Sequence, residues 1–180
     1  MYFLEIRMAA KTLQDLFIHM LSDIYSAEKQ LTKALPKLAR AATNPKLAEA
    51  FRNHLDETEG QVERIDEIVE TGNLKLKRMK CAAMEGLVEE GKEVMDEIEK
   101  GPALDAALIA AAQKVEHYEI ASYGTLCTFA KQLNLNDALR LLKETLAEEK
   151  SADEKLSVLA ETQSNQEAAA VKSNAAAAAR

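Results

Sequence analysis

The chain has 180 residues, enough for one domain with a proper core. Its 30 acidic and 23 basic residues give a formal charge of −7, which argues against nucleic-acid binding, and no window approaches the roughly 18 apolar residues that a membrane span needs. Hydrophobic residues make up 47% but aromatics only 4%, and the prevalence of Ala, Leu, Glu and Lys is a helix-forming composition.

Residues 1–11 read as an N-terminal extension. Glu5 and Arg7 interrupt any apolar stretch there, so no signal peptide is expected. Cys81 and Cys127 form no CxxC and read as free thiols in a reducing compartment. A soluble, cytoplasmic protein is expected.

The first helix is predicted to begin near Thr12, where Thr12 and Asp15 resemble a capping box. Leu13, Phe17, Met20, Ile24, Leu31, Leu35 and Leu38 then recur on one helical face, with Pro36 expected to kink it. Asn44-Pro45 reads as the N-cap and first turn of a second helix, which carries Leu47, Phe51, Leu55, Ile65 and Ile68 and ends near Gly72. A connection follows, with a further helix at about 79–99 whose glutamates read as a solvated face. Gly101-Pro102 resets the chain. A third bundle helix spans about 103–133, and a fourth follows the Asn134-Leu135-Asn136 turn with Leu139, Leu142, Leu146, Leu156 and Leu159. From 162 to 180 the chain is polar and Ala-rich without a stripe, and reads as a frayed or disordered tail. Two short turns and one long link predict an all-α, ferritin-like antiparallel four-helix bundle over 12–161, with one long crossover containing the extra helix.

Acidic residues interrupt the apolar stripes. Glu28 lies sixteen residues before Asn44 and Glu57 thirteen after it; Glu119 lies sixteen before Leu135 and Glu149 fourteen after it. At about 1.5 Å per residue, each pair is level within one turn. Glu116 and Glu119 fall in the series Ala112, Glu116, Glu119, Tyr123, Leu126; Glu149 and Asp153 fall in the series Leu142, Leu146, Glu149, Asp153, Leu156. His54 is central on its helix, with Glu57 one position off. Glu57 and Glu149 each adjoin another acid, Asp56 and Glu148, so a small rotation would turn either outward. Burying several carboxylates is tolerable only with cations among them, and hard, oxygen-loving metals such as Fe and Mn suit that donor set. Tyr25, Tyr118 and Tyr123 lie near the layer as donors behind the ligands or as ordinary packing.

The segments IYSAEKQL, HLDET, VEHYEIASYGTL and LKETLAEEKSADEKL resemble the YciF-like bacterial stress proteins, a branch of the ferritin-like superfamily related to rubrerythrins. The resemblance covers roughly Lys11 to Ala160. It implies a cytosolic homodimer of helical bundles with a dinuclear metal centre. By residue it implies Glu28, Glu57, Glu116 with Glu119, and either Glu148 or Glu149 as ligands. The usual Glu-x-x-His of the second and fourth helices is absent. It is reversed as His54-x-x-Glu57, so His54 is expected either as a ligand or behind the ligands; Ser151 and Ala152 stand three residues after Glu148 and Glu149, so either Asp153 substitutes or the site is nearly all oxygen. Two functions are therefore carried forward. The first is a stress-associated protein binding two metal ions, Fe expected with Mn or another divalent ion as alternatives, that oxidises Fe(II) or consumes peroxide or O2. The second is a non-catalytic assembly or partner-binding bundle with a vestigial or structural cation site. Whether the chain is an enzyme is left open.

Overall fold

The computed structural model describes residues 11–171, and all regular structure among them is helical. Residues 1–10, most of the expected extension, lie outside the described residues. Helix α1 (Leu13–Ala41) opens on a full capping box. Thr12 Oγ1 accepts from the Asp15 amide at 3.0 Å, and Asp15 Oδ2 accepts from the Thr12 amide at 3.1 Å. The helix runs through Pro36 to Ala41. Helix α2 (Pro45–Thr71) is capped by Asn44 Oδ1, which accepts from the amides of Lys46 and Leu47 at 2.9 and 3.3 Å. Its exit turn places Asn73 at φ 46°, a left-handed conformation that asparagine tolerates well.

Helix α3 (Ala82–Glu97) lies in the crossover. Helix α4 (Pro102–Gln132) follows Gly101, whose φ of 152° suits a residue without a Cβ. Asn134 turns the chain at φ 58° into α5 (Asn136–Leu159).

Polar ties define the directions. Buried Asp105, at the start of α4, accepts from the amides of Thr43 and Asn44 at 2.7 and 2.9 Å and from the Thr43 hydroxyl. The start of α4 therefore sits against the α1–α2 turn. Asn44 also donates to Gln163 Oε1 at 3.3 Å, which brings the far end of α5 to the same end of the bundle. Helices α1 and α4 thus neighbour each other antiparallel, as do α2 and α5, while α3 packs on the α1–α4 side. This is the expected arrangement of two hairpins joined by one long crossover.

Phe17, Leu21, Ile24, Leu47, Phe51, Ile65, Leu108, Leu126, Leu142 and Leu156 meet in one core, with contributions from each bundle helix. The tail differs from expectation. A π-helical turn (Ala160–Ser164) and α6 (Asn165–Ala170) prolong α5 in place of a frayed end. They carry no long apolar stripe, but Ser164 is buried and the Asn44–Gln163 bond holds the turn to α2. Residues 172–180 lie outside the described residues.

Candidate metal centre

At mid-bundle the core turns polar. Glu28 follows Ile24 and precedes Leu31 on the buried face of α1; His54 occupies that face of α2; Glu116 and Glu119 follow Ala112 and Val115 on α4; Glu149 stands between Thr145 and Ala152 on α5. Glu28, Glu119 and Glu149 are 0% exposed, Glu116 2% and His54 6%. One candidate ligand atom from each of His54, Glu116, Glu119 and Glu149 falls within 4.8 Å of all the others. His54 Nε2 lies 3.3 Å from Glu116 Oε1 and 3.8 Å from Glu149 Oε2. Tyr123 donates to Glu28 Oε1 at 2.5 Å.

The other sequence-predicted residues are placed differently. Glu57 stands behind the imidazole, its Oε2 3.3 Å from His54 Nδ1 and its Oε1 3.5 Å from Lys155 Nζ, with its side chain 31% exposed. The reversed His54-x-x-Glu57 spacing thus turns Nε2 inward and leaves Glu57 at the imidazole's outer edge. Glu148 does not join the cluster. It receives a two-pronged contact from Arg64, Nη1 to Oε2 at 2.6 Å and Nη2 to Oε1 at 2.5 Å, and a third bond from Gln61 Nε2 at 3.1 Å. One residue is about 100° around a helix, so with Glu149 inward Glu148 must leave the layer. Asp153, expected as a substitute ligand, instead accepts from Gln113 Nε2 at 3.1 Å and lies 3.5 Å from the exposed His117. Tyr25 is partly exposed, with Lys29 Nζ 5.7 Å from its ring centroid and Asp66 beside its hydroxyl. Tyr118 donates to Asp23 at 2.6 Å and lies 3.0 Å from Cys81 Sγ. Of the three tyrosines, Tyr123 is the one that hydrogen-bonds an acid of the buried layer, Glu28.

Two buried neighbours were not expected from the sequence: Gln61, and Thr58, whose hydroxyl donates to the His54 carbonyl at 2.7 Å. Both lie one or two helical turns after His54, and that periodicity was the available signal.

Burial, then the charge of Glu149, lifts the Glu28 carboxyl to about 8 against the pull of the Tyr123 hydrogen bond. Burial likewise holds Glu116 and Glu119 well above the carboxylate range and raises Glu149. Burial alone would lower the His54 imidazole, but Glu116, Glu57, Glu149 and Glu28 outweigh it and bring it to about 9. The hydrogen bond from His54 holds Glu57 below its usual range. Without a cation the layer must retain protons.

The donor set fits a metal. Glu28 Oε2, His54 Nε2, Glu116 Oε2, both oxygens of Glu119 and both of Glu149 are buried with no hydrogen-bond partner. Leaving one such group unsatisfied costs about 1–3 kcal/mol, and more when it is charged. The four buried carboxylates carry the charge that two divalent ions would neutralise.

Residues 12–169 match the family described as Domain of unknown function (DUF892), and the chain belongs to that family. It is 64% identical over 162 residues to Protein YciF of Escherichia coli strain K12, covering 89% of this chain and 98% of that protein. The crystal structure of the E. coli stress protein YciF superimposes with a TM-score of 0.84 at 65% identity, covering 87% of this chain and 99% of the other. YcfI from Rhodopseudomonas palustris gives a TM-score of 0.79 at 44% identity, over 87% and 98% of the two chains. Among the described residues no helix is long and apolar enough to cross a membrane.

Proposed function

We propose that the chain is a stress-associated, ferritin-like protein that binds two metal ions, iron first among them, in the layer formed by Glu28, His54, Glu116, Glu119 and Glu149. The observation that carries this reading is the set of buried, unpartnered carboxylate oxygens of Glu116, Glu119 and Glu149 converging with His54 Nε2 from three helices, with the buried, unpartnered Glu28 Oε2 contributed by the fourth. An iron pair bound there supplies one-electron chemistry toward O2 or peroxide. The chain's own residues would hold the ions and orient the donors through Glu57 and Tyr123, and their burial keeps bulk water from the layer. The stress association is carried over from the E. coli relative.

The test is anaerobic Fe(II) loading of protein purified without chelator or metal-affinity tag. About two equivalents per chain are expected, and fewer than half an equivalent overturns the reading. Glu119→Gln discriminates further: loss of stoichiometric iron with the fold intact supports the metal centre. Unchanged metal content with altered oligomerisation supports an assembly bundle.

A further inference from the structure

We propose that the cavity between α2 and α5 is the access route to this centre and binds an apolar organic molecule bearing a single O–H head, such as a phenol, an alcohol or a hydroperoxide. The proposal rests on the metal-centre reading, and it names a ligand class larger than dioxygen or hydrogen peroxide.

The cavity measures about 520 Å³, within the range of roughly 300–1,000 Å³ typical of small-molecule sites. Neither O2 nor hydrogen peroxide needs that space. Its walls are apolar, built by Phe51 from α2 and by Ala152, Leu156, Val158 and Leu159 from α5. Val158 is 53% exposed, one of the few large apolar side chains so placed among the described residues. The floor is formed by His54, Glu57 and Glu116, which belong to the centre or touch it. Glu28, Glu119 and Glu149 do not line it and are fully buried, so the layer opens on this side.

The polarity of floor and rim narrows the ligand. Glu116 Oε2 and His54 Nε2 are buried and unpartnered at the inner end. A hydroxyl can donate to a free oxygen of Glu116 or give its oxygen to an ion there, and needs no charge of its own to do either. The rim mixes Lys46 and Lys155 with Glu49 and Glu154 and so favours neither ionic sign. A neutral body with an O–H head matches all three regions. The π-helical turn begins at Ala160, next to the wall residue Leu159, and such widened turns occur often beside functional sites.

The test uses 4-butylphenol as the probe and butylbenzene as its headless counterpart, titrated into full-length protein in metal-free and Zn(II)-loaded forms. Calorimetry gives the stoichiometry, and carbon-13 methyl spectra give the location. One phenol per chain is expected, with shifts confined to the lining methyls of Ala50, Ala152, Leu156, Val158 and Leu159. Binding should be at least tenfold tighter than for butylbenzene and at least tenfold weaker in Val158→Asp, a change at an exposed position. Ala50→Phe, which places a ring in the cavity, should act in the same direction. No binding, methyl shifts elsewhere, or equal affinity for the two probes overturns the proposal. So does a Val158→Asp variant that turns a dimer into monomers, because the groove would then be covered by a second copy. Metal uptake is measured on the same samples. Two ions per chain without phenol binding removes this inference and leaves the metal centre standing, whereas phenol binding without metal uptake supports the cavity and removes the centre.

Discussion

The phenol of Tyr123 on α4 donates a 2.5 Å hydrogen bond to Glu28 Oε1 on α1, and both side chains are 0% exposed. That bond gives one oxygen of Glu28 a protein partner and leaves Oε2 without one. Tyr123→Phe keeps the ring and removes the donor. Thermal unfolding of the metal-free protein should show a loss of about 1–3 kcal/mol, the range for a buried group left unsatisfied. For a chain of this length that is a Tm fall of about 2–4 °C per kcal/mol.

Glu57 touches the imidazole on the face away from the other acids. An acceptor at Nδ1 fixes the tautomer that leaves Nε2 free for a metal. Glu57→Gln should therefore lower metal affinity by about 10–100-fold, the usual effect of losing such an orienting group. Because the side chain is 31% exposed, the Tm of the metal-free protein should hardly move. Competition titration against a metal-chelating dye measures the first effect.

Asp105 ties the start of α4 to the α1–α2 turn through two amides and a hydroxyl. Asp105→Asn replaces one acceptor oxygen with a donor that must face other donors. Urea unfolding should show a loss of about 1.5–3 kcal/mol, the scale of hydrogen bonds to a charged group, with metal stoichiometry unchanged.

The metal-free protein should be most stable near about pH 5 and weaken as pH rises. Glu28 moves from an ordinary value of 4.5 to about 8 in the folded chain, and His54 from 6.5 to about 9. In both cases the folded state holds its proton more tightly than the unfolded one. Their contribution is complete below the unfolded values and is lost as pH climbs through the folded ones. Glu57, held below its usual range, acts oppositely and weakens the fold only at lower pH. Bound metal replaces the protons, so the Tm gain on loading should grow from pH 5 to pH 9. Glu119→Gln should raise the metal-free Tm at pH 8 while reducing metal content. Calorimetric scans across this range measure both.

Much of the fold was legible because the caps and stripes agree: Thr12 with Asp15, Asn44 with Pro45, and the leucines of each helix all point to the same boundaries. The layer was legible because acids at equal distances from two turns must be level. What could not be read was azimuth. Glu148 and Glu149 are adjacent, and only the observed packing sends one to Arg64 and the other into the core. His54 and Glu57 pose the same problem one turn apart. The α6 extension escaped because it depends on a distant polar tie, Asn44 to Gln163, and not on a local stripe.

The two hairpins contribute unequal, incomplete halves of the donor set: Glu28 and His54 from α1 and α2, Glu116, Glu119 and Glu149 from α4 and α5. Neither half alone gathers the ligands for a pair of ions. On the proposed reading, ion retention depends on the halves staying closed against each other, and a chain sprung open along that seam would lose its ions while each hairpin is still helical.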